Sequence, residues 1–88
     1  MVGHMHYVYV LKSRKDNKLY IGCTSNLKKR LAEHNTGSVR STKSRLPFDL
    51  IFSENYESKY DAFNKEKYYK TAKGKKELVE KINNCRFV

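Results

Sequence analysis

The run His6-Tyr7-Val8-Tyr9-Val10-Leu11 constrains the fold more than any other stretch of this chain. Its residues are β-branched and aromatic, with Tyr7, Tyr9 and Leu11 on one face of an extended strand and Val8 and Val10 on the other. Both faces are apolar. A strand with one polar side can turn it to water, but this one needs cover on both, so it is expected at the centre of a sheet. In 88 residues there is room for one such sheet with one modest core, and none for a second lobe.

The rest of the chain supplies the remaining parts in order. Ser13 to Asn17 are polar turn-formers, and residues 18–23 read as a second short strand. The two strands form an expected hairpin, but loop length does not fix its register, so whether Tyr9 and Tyr20 lie side by side cannot be read here. A helix follows from Leu27, with Asn26 placed to cap it and Gly37 where a left-handed terminator belongs. Ser38 to Leu46 make a polar, basic loop, after which Pro47 opens a third strand through Phe48, Leu50, Ile51 and Phe52. Ser58-Lys59-Tyr60-Asp61 has the pattern of a helix cap, and its helix is expected to run to Ala72. Gly74 is expected to break that helix, leaving Lys75 to Ile82 for a last short one. The order β-β-α-β-α-α gives a small α/β (α+β) domain, an antiparallel sheet flanked by helices, over residues 5–84. Residues 1–4 read as vector-derived and are set apart from it.

Charge gives the first functional direction. The chain carries a formal net charge of +10, and lysines and arginines release counterions from a phosphate backbone, so nucleic acid is the expected partner. The alternative, a surface charged only for solubility, fits less well because the charge clusters. Lys28, Lys29, Arg30, Arg40, Lys43 and Arg45 form one group, relieved by Glu33 alone, and Lys65, Lys67, Lys70, Lys73, Lys75 and Lys76 form a second, relieved by Glu66 alone. A lipid surface is disfavoured, since these segments lack the broad apolar face of an interfacial helix and no apolar stretch is long enough to cross a membrane. Two cysteines, Cys23 and Cys85, are too few for a disulfide framework and lack zinc spacing. A soluble cytoplasmic protein is expected. Seven tyrosines carry much of the apolar mass, and their hydroxyls require partners, which places several at the rim of a wet cleft.

Few residues can carry chemistry. Arg30 and His34 are four apart and project from one helical face, beside Leu27 and Leu31, which tilts them toward the sheet. Spacing alone favours the plain alternative, an arginine stem covering the core and a histidine near a helix C-terminus. Glu66 can pair with Lys70 at the favourable spacing on the helix surface. It also follows the apolar anchors Ala62 and Phe63, which sets it beside the inward face, where a carboxylate can hold a hard divalent cation. His4 and His6 read as tag or strand-edge residues, and Cys23 as a small buried side chain. No Gly-rich phosphate loop, zinc cluster or serine triad is present.

Taken in order, four segments are highly specific: Val8-Tyr9, Tyr20-Ile21-Gly22, Leu27-x-x-Arg30-Leu31-x-x-x-His34 and Asp61-Ala62-Phe63-x-x-Glu66-Lys67. Together they resemble the GIY-YIG nucleases, which cut phosphodiester bonds with a divalent metal, and in particular the small standalone branch of that family. The match spans residues 7–83. Tyr7 stands where the first motif has its glycine, which small standalone members often lack.

The resemblance implies a three-stranded antiparallel sheet flanked by helices. It also implies hydrolysis of DNA aided by Mg2+ or Mn2+, with no obligate small-molecule cofactor. Glu66 would hold the cation against a phosphate oxygen, and Arg30 would stabilise charge developing on the phosphate. Tyr9 or Tyr20 would orient or deprotonate the attacking water, with His34 assisting. Lys28, Lys29, Arg40, Lys43, Arg45, Lys65, Lys67, Lys70 and Lys73 are the expected backbone contacts. Two departures stand out: Cys23 occupies a position where some members carry a lysine, and no asparagine stands where many have a late active-site one, Asn83 and Asn84 falling further on. The expected function is a structure-selective or low-specificity endonuclease of repair or processing. The competing reading is a nucleic-acid-binding module of the same fold. A double-stranded RNA-binding domain is disfavoured because the chain opens with a hairpin, and oligomeric state is left open.

Overall fold

A computed structural model of the chain describes residues 5–40 and 42–84. Strands β1 (His6–Ser13), β2 (Leu19–Thr24) and β3 (Phe48–Tyr56) form one antiparallel sheet in the order β2-β1-β3. The helices are α1 (Leu27–Asn35), α2 (Lys59–Tyr69) and α3 (Ala72–Asn84). The order β-β-α-β-α-α and the central place of the first strand are both as expected.

β1 is covered on both faces. Val8, Val10 and Leu11 are fully buried, and Tyr9 is 2% exposed. On the Tyr9 and Leu11 side, Leu27 and Leu31 of α1 pack with Phe48, Leu46 and Tyr20. On the Val8 and Val10 side, Ala62 and Tyr69 of α2 and Leu78 of α3 close over Ile21. Among the described residues no helix is long and apolar enough to cross a membrane. The terminal residues 1–4, with His4, and the thiol of Cys85 lie outside the described residues.

Local chemistry sets the boundaries. The Asn26 side chain accepts from the Lys29 amide and starts α1. Gly37 ends it at φ 80°, with the Ser38 amide donating to Glu33 O (3.0 Å) and the Gly37 amide to His34 O (3.3 Å). That pair of bonds is a Schellman cap, which needs the left-handed backbone glycine adopts without strain. Ser58 caps α2 by accepting from the Asp61 amide.

Three boundaries differ from expectation. β3 runs on past Phe52 to Tyr56, carrying Glu54 beneath the helices, where its Oε1 accepts from Tyr69 (2.7 Å) and Tyr56 (2.9 Å). α2 stops at Tyr69 rather than Ala72, and α3 begins at Ala72 rather than Lys75. Thr71 makes that break: its hydroxyl accepts from the Gly74 amide at 3.0 Å and its carbonyl from the Lys75 amide at 2.8 Å. Gly74 therefore sits in the first turn of α3 and is no breaker. A Cβ there would overlap the Tyr68 carbonyl, so glycine permits the close approach of α3 to the end of α2. The loop before β3 also contains a single 3-10 turn at Lys43–Arg45.

Candidate active site

The hairpin register brings the motif tyrosines together. Tyr9 faces Gly22 across the strands and Leu11 faces Tyr20, so Tyr9 and Tyr20 are diagonal neighbours on one face, ring centroids 6.4 Å apart. Gly22 has a packing reason. A Cβ at that position would overlap the Tyr9 hydroxyl and ring, so the phenol lies across the glycine and cannot do so over any other residue.

α1 then delivers His34 onto the pair. His34 is fully buried, 4.9 Å from the Tyr20 ring centroid and edge-on to Tyr9 and Phe48. Its Nε2 lies 3.1 Å from the Tyr9 hydroxyl, and its Nδ1 lies 2.8 Å from Thr42 Oγ1. Burial, with the Arg30 charge close by, lowers the His34 pKa, so the ring is neutral near pH 7. Arg30, one turn earlier, is half-buried and bonded to Glu33 at 3.2 Å. Its guanidinium also approaches the Tyr9 hydroxyl. Burial raises the Tyr9 pKa, and Arg30 offsets this only in part because Tyr20 and Glu66 push the same way as burial. Tyr9 therefore stays a phenol in this environment.

Glu66 reaches the region from the other helical layer. Its charge acts on both Tyr9 and Cys23, and its side chain is 15% exposed against 53% for Lys70, its partner at 2.7 Å. The ion pair of the plain alternative is thus formed, but with the carboxylate largely covered. Among the described residues no three His, Cys, Asp or Glu side chains gather. A metal here would have Glu66 as its protein ligand and displace the Lys70 ammonium. A single carboxylate oxygen donor fits a hard ion that keeps its waters and shares substrate oxygens.

Two openings flank the β2 edge. A cleft of about 420 Å³ is lined by Cys23, Thr24, Ser25, Asn26, Lys29, Arg30 and Glu33. A groove of about 240 Å³ holds Tyr20 with Lys70 and Lys75. Burial, with Glu66 near, pushes the Cys23 thiol pKa up, so a neutral side chain forms that part of the wall.

The expected backbone contacts divide. Lys28, Lys29, Arg40, Lys43, Lys67, Lys70 and Lys73 are exposed. Arg45 is bound to Asp16 at 3.2 Å, and Lys65 lies over the Tyr68 and Tyr69 rings and 3.9 Å from Glu77. Those two face their own fold. Tyr9, Tyr20 and His34 meet in direct contact. Arg30 stands one turn before His34 and lines the adjoining cleft, and Glu66 lies in the other helical layer, bonded to Lys70.

Sequence reasoning did not single out Thr42 or Asn35. Asn35 brackets the start of β3, its side chain accepting from the Phe48 amide (2.7 Å) and donating to the Phe48 carbonyl (3.2 Å). An asparagine in the last turn of a helix is a signal for such a bracket, since its amide competes poorly as a helix former. Thr42 lies in a polar loop with no periodicity, and nothing local distinguishes it.

Comparison with known proteins gives the family and the fold. The family model described as the GIY-YIG catalytic domain matches residues 5–83. The chain is 40% identical over 89 residues to the UPF0213 protein YazA of Bacillus subtilis, covering 98% of this chain and 89% of that one. It is 45% identical over 67 residues to the UPF0213 protein SH2523 of Staphylococcus haemolyticus, covering 75% and 80%. The solution NMR structure of the UPF0213 protein BH0048 from Bacillus halodurans superposes with a TM-score of 0.55 at 32% identity, covering 86% of this chain and 83% of that one. This chain belongs to the GIY-YIG catalytic domain family, whose fold is of nuclease type.

Proposed function

We propose that the protein is a divalent-metal-dependent endonuclease that hydrolyses phosphodiester bonds in DNA, structure-selective or of low sequence specificity, in repair or processing in the cytoplasm. One observation carries this reading: the nearly closed Tyr9 hydroxyl is hydrogen-bonded to the buried His34 ring, packed against Tyr20, beside a cleft lined by Arg30. A core tyrosine needs one hydrogen bond. This one has a neutral imidazole on one side and a guanidinium on the other, beside an open cleft bordered by Lys29 and Arg30.

In the proposed mechanism Arg30 binds the scissile phosphate and strengthens its hold as charge develops on the phosphoryl oxygens. Tyr20, lining the open groove, orients the attacking water. Tyr9 takes the water's proton as its own passes to His34 Nε2, which begins neutral and has that nitrogen aimed at the hydroxyl. The water oxygen bonds to phosphorus as the P–O bond to the leaving sugar oxygen breaks, and that oxygen takes a proton from solvent. Glu66 would hold Mg2+ or Mn2+, which supplies Lewis-acid polarisation of the phosphate when bound. Lys28, Lys29 and Lys70 contact the backbone and carry no sequence information. The test is incubation of the purified protein with single-stranded, duplex, nicked, flapped and branched DNA, with and without magnesium or manganese. Metal-dependent cutting of one or more is expected; no cutting of any would remove the nuclease reading.

A second reading, a binding module of this fold with little cleavage, has one observation in its favour. Cys23 carries no positive charge at a position where some family members have lysine, and burial keeps its thiol protonated. Tight DNA binding without metal-dependent cutting would establish it.

A further inference from the structure

The hydrogen bonds around His34 determine where its proton sits. Tyr9 is 2% exposed, so its hydroxyl proton needs a protein acceptor. Two groups border that hydroxyl: His34 Nε2 at 3.1 Å and the Arg30 guanidinium. A guanidinium offers only donors. Nε2 must therefore be the bare, accepting nitrogen, and the neutral ring then carries its proton on Nδ1.

That proton requires an acceptor in turn. Thr42 Oγ1 lies 2.8 Å from Nδ1, fully buried, and its own hydroxyl donates to the Val39 carbonyl at 3.4 Å. Every proton then has one place. Nδ1–H goes to Thr42, Thr42 O–H to Val39, and Tyr9 O–H to Nε2. The opposite assignment, with the proton on Nε2, aims two donors at the Tyr9 oxygen and strands the Tyr9 proton beside a guanidinium.

We propose that Thr42 is a positioning residue, which fixes His34 as the Nδ1–H tautomer and so keeps Nε2 free to receive the Tyr9 proton. Its catalytic consequence rests on the nuclease reading; the proton placement rests on the two hydrogen bonds of His34 and the burial of Tyr9. Thr42 touches neither substrate nor reacting atoms, and acts only through the ring it orients. The 3-10 turn at Lys43–Arg45 follows it directly, which ties the histidine's protonation to the conformation of the basic loop.

The chain has three histidines, so a His4→Gln, His6→Gln double variant leaves His34 as the single imidazole. A long-range proton–nitrogen correlation spectrum of that protein at neutral pH reads the tautomer directly. The expected pattern is Nδ1–H; an Nε2–H pattern overturns the proposal whether or not the protein cuts DNA. Thr42→Val in the same background removes the Nδ1–H acceptor while the Tyr9 bond remains, so either tautomer strands one proton. It is expected to turn the single Nδ1–H tautomer into a mixture with Nε2–H. As the ring also loses its orienting bond, kcat is expected to fall about 10²-fold, with KM little changed. Thr42→Ser, which restores the hydroxyl, is expected to keep tautomer and kcat. If the valine variant does not fold, the serine variant and the parent spectrum still decide, since a serine variant without Nδ1–H overturns the role. A valine variant with the parent tautomer and rate does so equally. Failure of the parent protein to cut any DNA would count against the nuclease reading, while the spectrum would decide the tautomer separately.

Discussion

Tyr9 and Tyr69 are two buried tyrosines on opposite sides of one sheet, and their surroundings differ in kind. Tyr69 donates to Glu54 (2.7 Å) and accepts from Lys81 (2.9 Å), while Tyr56 and Lys81 fill the remaining bonds of that carboxylate. The cluster closes on itself, tying α2 and α3 to β3. Burial, together with Glu54, pushes the Tyr69 pKa up to about 12. Tyr9 instead meets a neutral imidazole and a guanidinium that also lines an open cleft. Both clusters contain a phenol, a carboxylate and cations. Both cations are ion-paired and equally exposed, Arg30 with Glu33 and Lys81 with Glu54. What separates them is placement, since Lys81 bonds the carboxylate and phenol of its own cluster while Arg30 lines the wall of an open cleft.

This contrast can be broken most sharply at the two glutamates. Glu66→Gln is expected to lower metal-dependent cleavage by about 10³-fold or more, because the charge that would hold the cation is gone. Its melting temperature should scarcely move, since losing the Lys70 pair, about 0.3–0.5 kcal/mol for such a helix pair, is offset by no longer keeping a charge on the largely covered side chain. DNA affinity should hold or rise, as the substitution removes the sole acidic residue between Lys65 and Lys76. Measuring cutting and binding on one substrate separates the two effects; near-normal cutting would take Glu66 out of the site.

Next in size is Arg30→Ala, with an expected loss of about 10²–10³-fold in cleavage and retained fold. Lys29→Ala, on the same cleft, serves as its control. Equal losses in both would show that general positive charge, rather than a placed guanidinium, is what the cleft provides.

Glu54→Ala tests the closed cluster and should give the reverse pattern. It leaves Lys81 and two tyrosine hydroxyls short of an acceptor, a cost of about 2 kcal/mol or a drop in Tm of about 8–16 °C for a domain of this size. Cleavage assayed well below that Tm should be unchanged. A variant that melts normally but cuts poorly would mean the two faces are coupled and the contrast is false.

The smallest effect is in acid. Burial lowers the His34 pKa from its ordinary 6.5, so as pH falls below that value the unfolded chain takes up the proton first and stability declines. Above it both states are neutral and nothing is lost. Glu54 follows at lower pH. Burial alone would raise its pKa, but hydrogen bonds from Tyr69, Tyr56 and Lys81 outweigh this and hold it below 4.5. Its stabilisation is present above that value and lost as pH falls through the lowered one. Denaturant unfolding at a series of pH values should therefore show an upper loss from the Tyr9 side and a lower one from the Tyr69 side. Stability flat from pH 7 to 5 would contradict a buried, neutral His34.

Much of the fold was legible because it is written in local periodicity and end signals. The doubly apolar run at Val8 to Leu11 demanded cover on both sides, and Asn26, Gly37 and Ser58 act where their backbone chemistry places them. Gly74 misled because its reason for being glycine is a contact with Tyr68 of the preceding helix, which sequence separation conceals. The extension of β3 was missed because Glu54 looks like a surface residue until Tyr69 and Lys81 are brought over it.

Sequence by itself determined the chemical inventory and its order: two tyrosines on strands, an arginine and a histidine one helical turn apart, a glutamate on a later helix, and a strong positive charge. Those follow from residue identity and from the fixed periods of strand and helix. Tertiary structure decided which of them meet. Hairpin register set Tyr9 opposite Gly22, and with it the diagonal to Tyr20, because a slip of one residue would have turned either tyrosine to the other face. Packing of α1 on the sheet chose Nε2 for Tyr9, and the following loop returned Thr42 to Nδ1. Arg45 and Lys65 were drawn into ion pairs while Lys29 was left lining the cleft. A charge's partner depends on distances between segments far apart in the chain, and only the folded backbone sets those distances.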